Sequence, residues 1–149
     1  MRAVIQKVSE ARVVIEGNTS GEISHGLVVF VAVNEKDDDK IMKWMCNKIA
    51  NLRVFPDEDD KMNLSVIEVN GGILIISNFT LYGDVRKGFR PNFMRSAKPG
   101  ISEPVYEKMI AHMKDKFPVK VESGEFGAMM DVQLINDGPV TIIIEKENE

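Results

Sequence analysis

The chain has 149 residues, of which 44% are hydrophobic and 28% are charged, and its formal net charge is −4. These values are typical of one soluble globular domain, so we predict a single domain over residues 1–149. No apolar run approaches the roughly 18 residues that span a bilayer, and no signal-peptide core follows the N-terminus, so we expect a cytoplasmic location without membrane contact. The acidic balance argues against coating long nucleic acids but allows contact with a few nucleotides.

Metal and thiol chemistry have little support in the sequence. Cys46 is the only cysteine, which excludes an internal disulfide and a cysteine-based metal site. His25 and His112 are far apart, and neither belongs to a His-x-His or His-x-x-x-His pattern. We therefore expect no metal site, no cofactor and no histidine-centred catalytic triad.

The first third of the chain is typical of strands joined in a meander or hairpin. Residues 2–9 and 11–16 are rich in β-branched side chains, residues 16–21 have the composition of a turn, and residues 27–33 form an apolar run. The aspartates at 37–39 then suit the N-terminus of a helix whose apolar residues recur every three to four positions.

The rest of the chain predicts more strands than helices. Strands are expected at 53–55, 62–66, 72–81, 119–123, 130–135 and 140–144, with residues 136–139 breaking the last two apart. A second amphipathic helix is expected to start at Ser102 to Pro104 and to end near Phe117. Because the strands come in runs, we predict an α+β fold, with antiparallel or mixed sheets forming a barrel-like core and two main flanking helices.

One predicted strand ends in polar residues that could form a site. The four aliphatic residues 73–76 continue directly into Ser77, Asn78, Phe79 and Thr80. A rigid strand that delivers hydroxyls, an amide and main-chain N–H groups to its end can place a site accurately. A strand followed by an ordinary turn explains this stretch equally well.

A basic, aromatic segment follows that strand. Residues 82–98 contain one acid, Asp84, and the five basic residues Arg86, Lys87, Arg90, Arg95 and Lys98, with aromatic residues interleaved. Such a composition suits contact with phosphates or stacking against a base. The alternative is a solvated loop held by two phenylalanines.

A second polar motif lies near the C-terminus, at residues 136–141 with Gly138-Pro139 at its centre. Only about 5–6% of X–Pro bonds in folded proteins are cis, so the sequence by itself predicts a trans bond here. Such a dipeptide leaves two carbonyl oxygens without ladder partners, and these oxygens can face a ligand.

Several motifs in order resemble the D-aminoacyl-tRNA deacylases over essentially the whole chain. The matching stretches are residues 1–8, 48–55, 77–82 (Ser-Asn-Phe-Thr-Leu-Tyr), 86–88, 90–91, 126–128 with Met130, and 136–141 (Asn-Asp-Gly-Pro-Val-Thr). Any one of these motifs is weak, but their combination at matching separations is specific.

The resemblance implies a homodimer that hydrolyses the ester of D-aminoacyl-tRNA, and of glycyl-tRNA, at the aminoacylated 3′ end. The family's Gly-Pro peptide is cis and enters the partner's active site. Carried over, the carbonyls of Gly138 and Pro139 would bind the substrate ammonium and reject an L side chain by exclusion. Phe126, Met130 and Phe89 would line the adenosine side.

The catalytic groups are left open by the sequence. Thr80 could be a nucleophile, but the motif offers no adjacent base. We prefer an oxyanion held by main-chain N–H groups of Phe79 and Thr80, with the substrate's own 2′-hydroxyl helping to activate water, while Ser77 and Thr80 shape the pocket. The family has glutamine where this chain has Asn78, so a side-chain hydrogen bond is lost or bridged by water.

Two other functions compete with the enzyme. The first is a non-catalytic dimeric module that binds RNA 3′ ends or small ligands in the same pocket. The second is a structural dimer in which the Gly138-Pro139 loop serves only assembly.

Overall fold

The computed structural model describes residues 1–148, so residue 149, the last of the predicted domain, lies outside the described residues. Across residues 1–148 the chain forms eight strands, two α-helices and one 3₁₀ turn. Their order is β1 (Arg2–Ile15), β2 (Asn18–Ile23), β3 (Gly26–Ala32), α1 (Asp39–Asn51), β4 (Phe55–Pro56), β5 (Met62–Leu64), β6 (Gly72–Ser77), the 3₁₀ turn (Phe79–Tyr82), α2 (Pro99–Lys116), β7 (Lys120–Ser123) and β8 (Asp131–Glu145).

Six of the strands form one mixed sheet in the order β2-β1-β3-β6-β7, and β8 pairs with β1. The strand β1 is antiparallel to β2, β3 and β8, whereas β3, β6 and β7 are parallel. The sheet curls until β2 approaches β7: a Cβ added to Gly21 would lie 2.7 Å from the carbonyl oxygen of Ser123. With β4 and β5 as a small second sheet, the predicted α+β fold with a barrel-like core and two helices is confirmed.

Both helices bury an apolar stripe against the sheet. Met45 and Ile49 of α1 are fully buried, and so are Met109 and Met113 of α2. They share one core with the aliphatic residues of β3 and β6. Burial of this kind contributes roughly 1.5–3 kcal/mol for each large apolar side chain, so the two periodic stripes position both helices.

Several predicted boundaries are wrong because strand pairing extends further than local composition indicates. Residues 2–9 and 11–16 are one strand, since β8 pairs along nearly all of β1. Residues 136–139 do not interrupt β8, because the pairing continues past them through shifts of register between Gln6 and Glu10. The predicted turn at 16–21 is also too long, as β2 already begins at Asn18.

The second helix begins earlier than predicted, at Pro99. A proline suits the first helical position because its missing N–H needs no partner there. Pro104 lies inside the helix instead of marking its start. Neither helix is long and apolar enough to cross a membrane, as far as residues 1–148 are concerned.

Candidate active site

A cavity of about 730 Å³ opens at the C-terminal end of β6. It lies between the 3₁₀ turn, the start of α2 and the segment of residues 126–130 that precedes β8. Its walls are formed by Phe30, Ala32, Val33, Ile76, Ser77, Asn78, Phe79, Thr80, Phe93, Ser96, Ala97, Pro99, Ser102, Phe126, Gly127, Ala128, Met129, Met130 and Val132. This volume lies within the range of ligand-binding clefts.

The cavity unites most of the residues singled out in the sequence, although they come from two distant parts of the chain. Ser77, Asn78, Phe79 and Thr80 form one wall, and the segment carrying Phe126 and Met130 forms another.

The remaining predicted residues lie elsewhere. Phe89 projects from the basic segment, is fully exposed at 103% relative accessibility and does not line the cavity. Gly138 and Pro139 are exposed on β8 and also lie outside the cavity.

The segment that carries Phe126 is held against β6 by hydrogen bonds. The N–H of Gly124 donates to the carbonyl of Ile75 over 3.1 Å. The buried Tyr106 hydroxyl of α2 donates to the same carbonyl over 2.9 Å and lies 3.3 Å from the carbonyl of Gly124. Burial raises the pKa of Tyr106 to about 12, so its hydroxyl stays a neutral donor. The Phe126 ring packs 5.9 Å from that of Tyr106.

Asn78 joins β6 to the 3₁₀ turn. Its N–H donates to the carbonyl of Val31 over 2.8 Å and so extends the pairing with β3. Its side-chain oxygen accepts from the N–H of Thr80 over 3.3 Å and from the Thr80 hydroxyl. This is the N-cap arrangement, which satisfies a donor that the turn leaves free. The shorter amide of Asn78 is thus used inside the turn.

Phe79 supplies the main-chain donor that the turn does not use. It is the first residue of the 3₁₀ turn, where an N–H has no partner within the helix. Within residues 1–148 this N–H has no hydrogen-bond acceptor. Its ring is 55% exposed and packs edge-to-face on Phe93, with the ring centroids 5.1 Å apart. A fixed, unpaired donor therefore stands at the cavity wall.

The far end of the turn is anchored to both termini of the chain. A guanidinium nitrogen of Arg2 donates to the carbonyl of Leu81 over 2.8 Å. The buried ring of Tyr82 has the guanidinium groups of Arg2 and Arg95 each 5.0 Å from its centroid. Glu145 pairs with both arginines, at 2.9 and 2.8 Å.

Burial raises the pKa of Tyr82, and nearby carboxylates add to this, so the ring remains neutral between its two cations. Sequence reasoning missed this anchor. The partners are 79 residues apart in the case of Arg2 and Leu81, and no local pattern marks such a pair.

The cavity can stabilise charge but offers no titratable group of its own. Among the residues that line it, none is Asp, Glu, His, Lys, Arg, Cys or Tyr. Cys46 lies in the core, where burial raises the pKa of its thiol to about 12, so it carries no thiolate chemistry. Within the part of the chain described, no group of three His, Cys, Asp or Glu residues could hold a metal ion. The polar groups of the cavity are hydroxyls, an amide and main-chain donors.

The Gly138–Pro139 peptide bond is cis, as the resemblance implies, and the trans bond expected from the sequence by itself is wrong. Gly138 has φ +125°, a conformation that L side chains rarely adopt. Tertiary contacts hold both sides of this turn. The side-chain amide of Asn136 donates to the carbonyls of Lys7 and Val140, each over 3.0 Å. The ammonium of Lys7 lies 3.6 Å from the carboxylate of Asp137.

Comparisons with known proteins identify the family. The family model described as D-Tyr-tRNA(Tyr) deacylase matches residues 4–145. A D-aminoacyl-tRNA deacylase of Halalkalibacterium halodurans is 52% identical over 147 residues, which are 99% of this chain and 100% of that protein. The corresponding protein of Thermosipho africanus is 50% identical, over 99% of this chain and 98% of its own length.

Two solved structures agree with the fold. A c-Myc DNA unwinding element binding protein superposes with a TM-score of 0.94 at 35% identity, covering 99% of this chain and 100% of its own. A probable eukaryotic D-amino acid tRNA deacylase gives a TM-score of 0.81 at 16% identity, covering 96% and 97%, which supports the fold alone. The family match and the full-length relatives together show that this chain belongs to the D-aminoacyl-tRNA deacylase family.

Proposed function

We propose that this protein hydrolyses the ester bond of D-aminoacyl-tRNA, and of glycyl-tRNA, releasing the free amino acid and the tRNA. The observation that carries the proposal is the cavity at the end of β6, where an unpaired main-chain donor meets walls without any titratable side chain. Such a site suits a reaction in which the catalyst stabilises charge and the substrate supplies the base. Because aminoacyl-tRNA is used by the translation machinery, the cytoplasm is the proposed location.

The chemical step follows from this donor. Water attacks the ester carbonyl carbon, and the carbonyl oxygen becomes an oxyanion that the N–H of Phe79 stabilises, because the N–H of Thr80 already donates to the side-chain oxygen of Asn78. The 2′-hydroxyl of the terminal adenosine orients the water and relays its proton toward the leaving 3′-oxygen. The C–O bond then breaks, which yields the 3′-hydroxyl and a carboxylic acid, and the acid's proton passes to solvent to leave the free carboxylate. One fixed donor of this type is worth about 10²- to 10³-fold in kcat.

Thr80 is a weak candidate for the nucleophile in this geometry. Its hydroxyl donates to the Asn78 side-chain oxygen, which is an amide and therefore no base. Ser77 also lines the cavity, and we assign both hydroxyls to shaping the pocket.

Chirality is read, in this proposal, by the Gly138-Pro139 turn of a second subunit. Two observations support a homodimer. The turn is exposed in its own subunit and lies outside its cavity. Within residues 1–148, β8 pairs only with β1, which leaves an open edge flanked by the exposed Ile135 and Ile143. Inserted into the partner's cavity, the two carbonyls would accept from the substrate ammonium and exclude an L side chain.

The experiment that tests the function compares ester loss from D-tyrosyl-tRNA and L-tyrosyl-tRNA in the presence of the purified protein. Hydrolysis of the D form alone supports the proposal. Binding of either RNA without turnover would instead indicate a non-catalytic RNA-binding module. Absence of both binding and turnover would leave the structural dimer as the better description.

Replacing Pro139 with alanine tests how chirality is read. The Pro139→Ala variant removes the ring that fixes the turn, so its carbonyls lose their orientation. We expect the ratio of kcat/KM for D- over L-tyrosyl-tRNA to fall at least tenfold, mainly because L-substrate cleavage increases. Val140→Ala, next to the turn, is the control for a mere loss of packing. An unchanged D-over-L ratio in a folded Pro139→Ala variant would contradict the proposed role.

Replacing Thr80 with alanine separates a pocket role from a nucleophilic one. Thr80→Ala keeps the main-chain N–H and removes only the hydroxyl that donates to Asn78. A hydrogen bond of this kind contributes about 1 kcal/mol, so we expect kcat on D-tyrosyl-tRNA to stay within about fivefold of the wild type. Loss of a catalytic nucleophile lowers kcat by about 10⁴-fold or more, and a single-turnover assay resolves this difference.

A further inference from the structure

The loop of residues 84–92 projects from the rim of the cavity. Main-chain hydrogen bonds of 2.8 and 3.0 Å join Asp84 and Asn92 in both directions and close the base of the loop. Phe93 follows immediately, packs on Phe79 and lines the cavity. The loop is thus attached rigidly to the site, while every residue from 85 to 91 is exposed.

The cations of this region fall into two groups. Arg86 pairs with Asp84, and its guanidinium lowers the pKa of that carboxyl to about 2. Arg95 pairs with Glu145 and Glu147. Their charges are therefore already balanced within the protein.

Lys87, Arg90 and Lys98 are different. Within residues 1–148 none of the three has a carboxylate partner. Lys98 stands immediately before the first residue of α2, Pro99, which lines the cavity. Three unpaired positive charges therefore fall in the one segment that joins the 3₁₀ turn to α2, on a chain whose net charge is −4.

Phe89 lies at the tip, between the two loop cations. Its complete exposure has no explanation in the packing of the subunit, because a phenylalanine gains free energy on burial. An exposed ring with neighbouring cations is the arrangement by which proteins stack an unpaired base and contact the adjoining phosphates.

We propose that Lys87, Arg90, Lys98 and Phe89 bind the unpaired 3′ end of the tRNA just outside the cavity, with the cations on its phosphates and Phe89 stacked on a base. This inference rests on the proposed function for the identity of the RNA. It assigns Phe89 to the RNA strand outside the cavity instead of to the adenosine pocket. The contacts are to backbone and to a π-face, so they are independent of the tRNA sequence.

The salt dependence of binding provides a quantitative test. Each phosphate contact to a single strand contributes about 0.7 to the slope of log Kd against log salt concentration. For a Lys87→Ala/Arg90→Ala double variant we therefore expect a slope lower by about 1.4. For tRNA that carries no amino acid, we expect the Kd of this variant to be about 25-fold higher than that of the wild type at about 0.1 M salt. The two Kd values should become equal near 1 M salt.

The matched control removes the same charge from another surface. Lys40 and Lys43 are exposed on α1 and, within residues 1–148, have no ion-pair partner. We expect the Lys40→Ala/Lys43→Ala variant to keep the wild-type slope. Equal slopes for the two double variants would overturn the proposal.

Turnover and stacking complete the test. With D-tyrosyl-tRNA, the Lys87→Ala/Arg90→Ala variant is expected to have a higher KM and an unchanged kcat at saturation.

Phe89→Ala is expected to raise KM on the order of tenfold at all salt concentrations, and Phe89→Trp is expected to have the KM of the wild type. A lower kcat with unchanged KM would also overturn the proposal. Because tRNA binding is measured without hydrolysis, absence of turnover in the wild type would count against the proposed function only.

Discussion

Replacing Phe79 with proline is expected to lower kcat on D-tyrosyl-tRNA by about 10²- to 10³-fold, with KM within a few-fold of the wild type. Proline has no main-chain N–H, so this change removes the donor that is proposed to hold the oxyanion, which has no acceptor among the described residues. The backbone can accept it, because Phe79 is the first residue of the 3₁₀ turn, where proline is favoured. Asn78, with φ −147°, is already outside the helical region, as a residue before proline should be.

Phe79→Ala is the matched control. It also removes the ring and its contact with Phe93 but keeps the N–H. Any loss shared by the two variants belongs to the ring, and the additional loss in Phe79→Pro belongs to the donor. Thermal unfolding of both variants checks that the turn remains folded. Equal kcat values for the two variants would show that this N–H does not hold the oxyanion.

Replacing Asp37 with asparagine is expected to lower the free energy of unfolding by about 3–5 kcal/mol. One carboxylate oxygen of Asp37 binds the N-terminal ammonium of Met1 over 2.6 Å, and both side chains are almost completely buried. The other oxygen accepts from the N–H of Asn34 over 2.7 Å. Asparagine keeps the volume and one acceptor, but it leaves a buried positive charge without a counter-charge. Urea unfolding followed by circular dichroism measures the difference.

The same substitution two residues further along is the control. Asp39 is exposed and lies 3.6 Å from the ammonium of Lys108, which is also exposed. An exposed pair of this kind contributes about 0–1 kcal/mol, so Asp39→Asn should unfold close to the wild type. If both variants lose the same free energy, the buried ion pair is not a main source of stability.

Some features of the site follow from local sequence because local physics decides them. The apolar run before Ser77 is a buried strand, as predicted, but the strand ends at Ser77 and not at residue 81, because the polar residues that follow it enter the 3₁₀ turn. The apolar stripes of α1 and α2 could also be predicted from the sequence, because only one face of each helix is buried. Asp38 caps α1 through the N–H of Ile41, as the run of aspartates suggested.

Asp37, next to it, shows where local reasoning ends. The sequence places it in the same acidic cap, whereas the structure pairs it with Met1, 36 positions away. The continuity of β1, and that of β8 through residues 136–139, were missed for the same reason, because the pairing partner of each strand lies at the other end of the chain.

The sequence by itself thus determined the fold class, the two helices, the polar end of β6 and, through its ordered motifs, the family. Those motifs also implied the cis bond at Gly138-Pro139, which the dipeptide by itself did not. Only the tertiary structure decided the engagement of the Asn78 amide within the turn and the unpaired N–H of Phe79. It also separated the balanced cations of residues 84–98 from the uncommitted ones. Periodicity and capping act over a few residues and are visible in order along the chain. Hydrogen-bond partners and ion pairs depend on which distant segments meet, and that is settled only when the sheet closes.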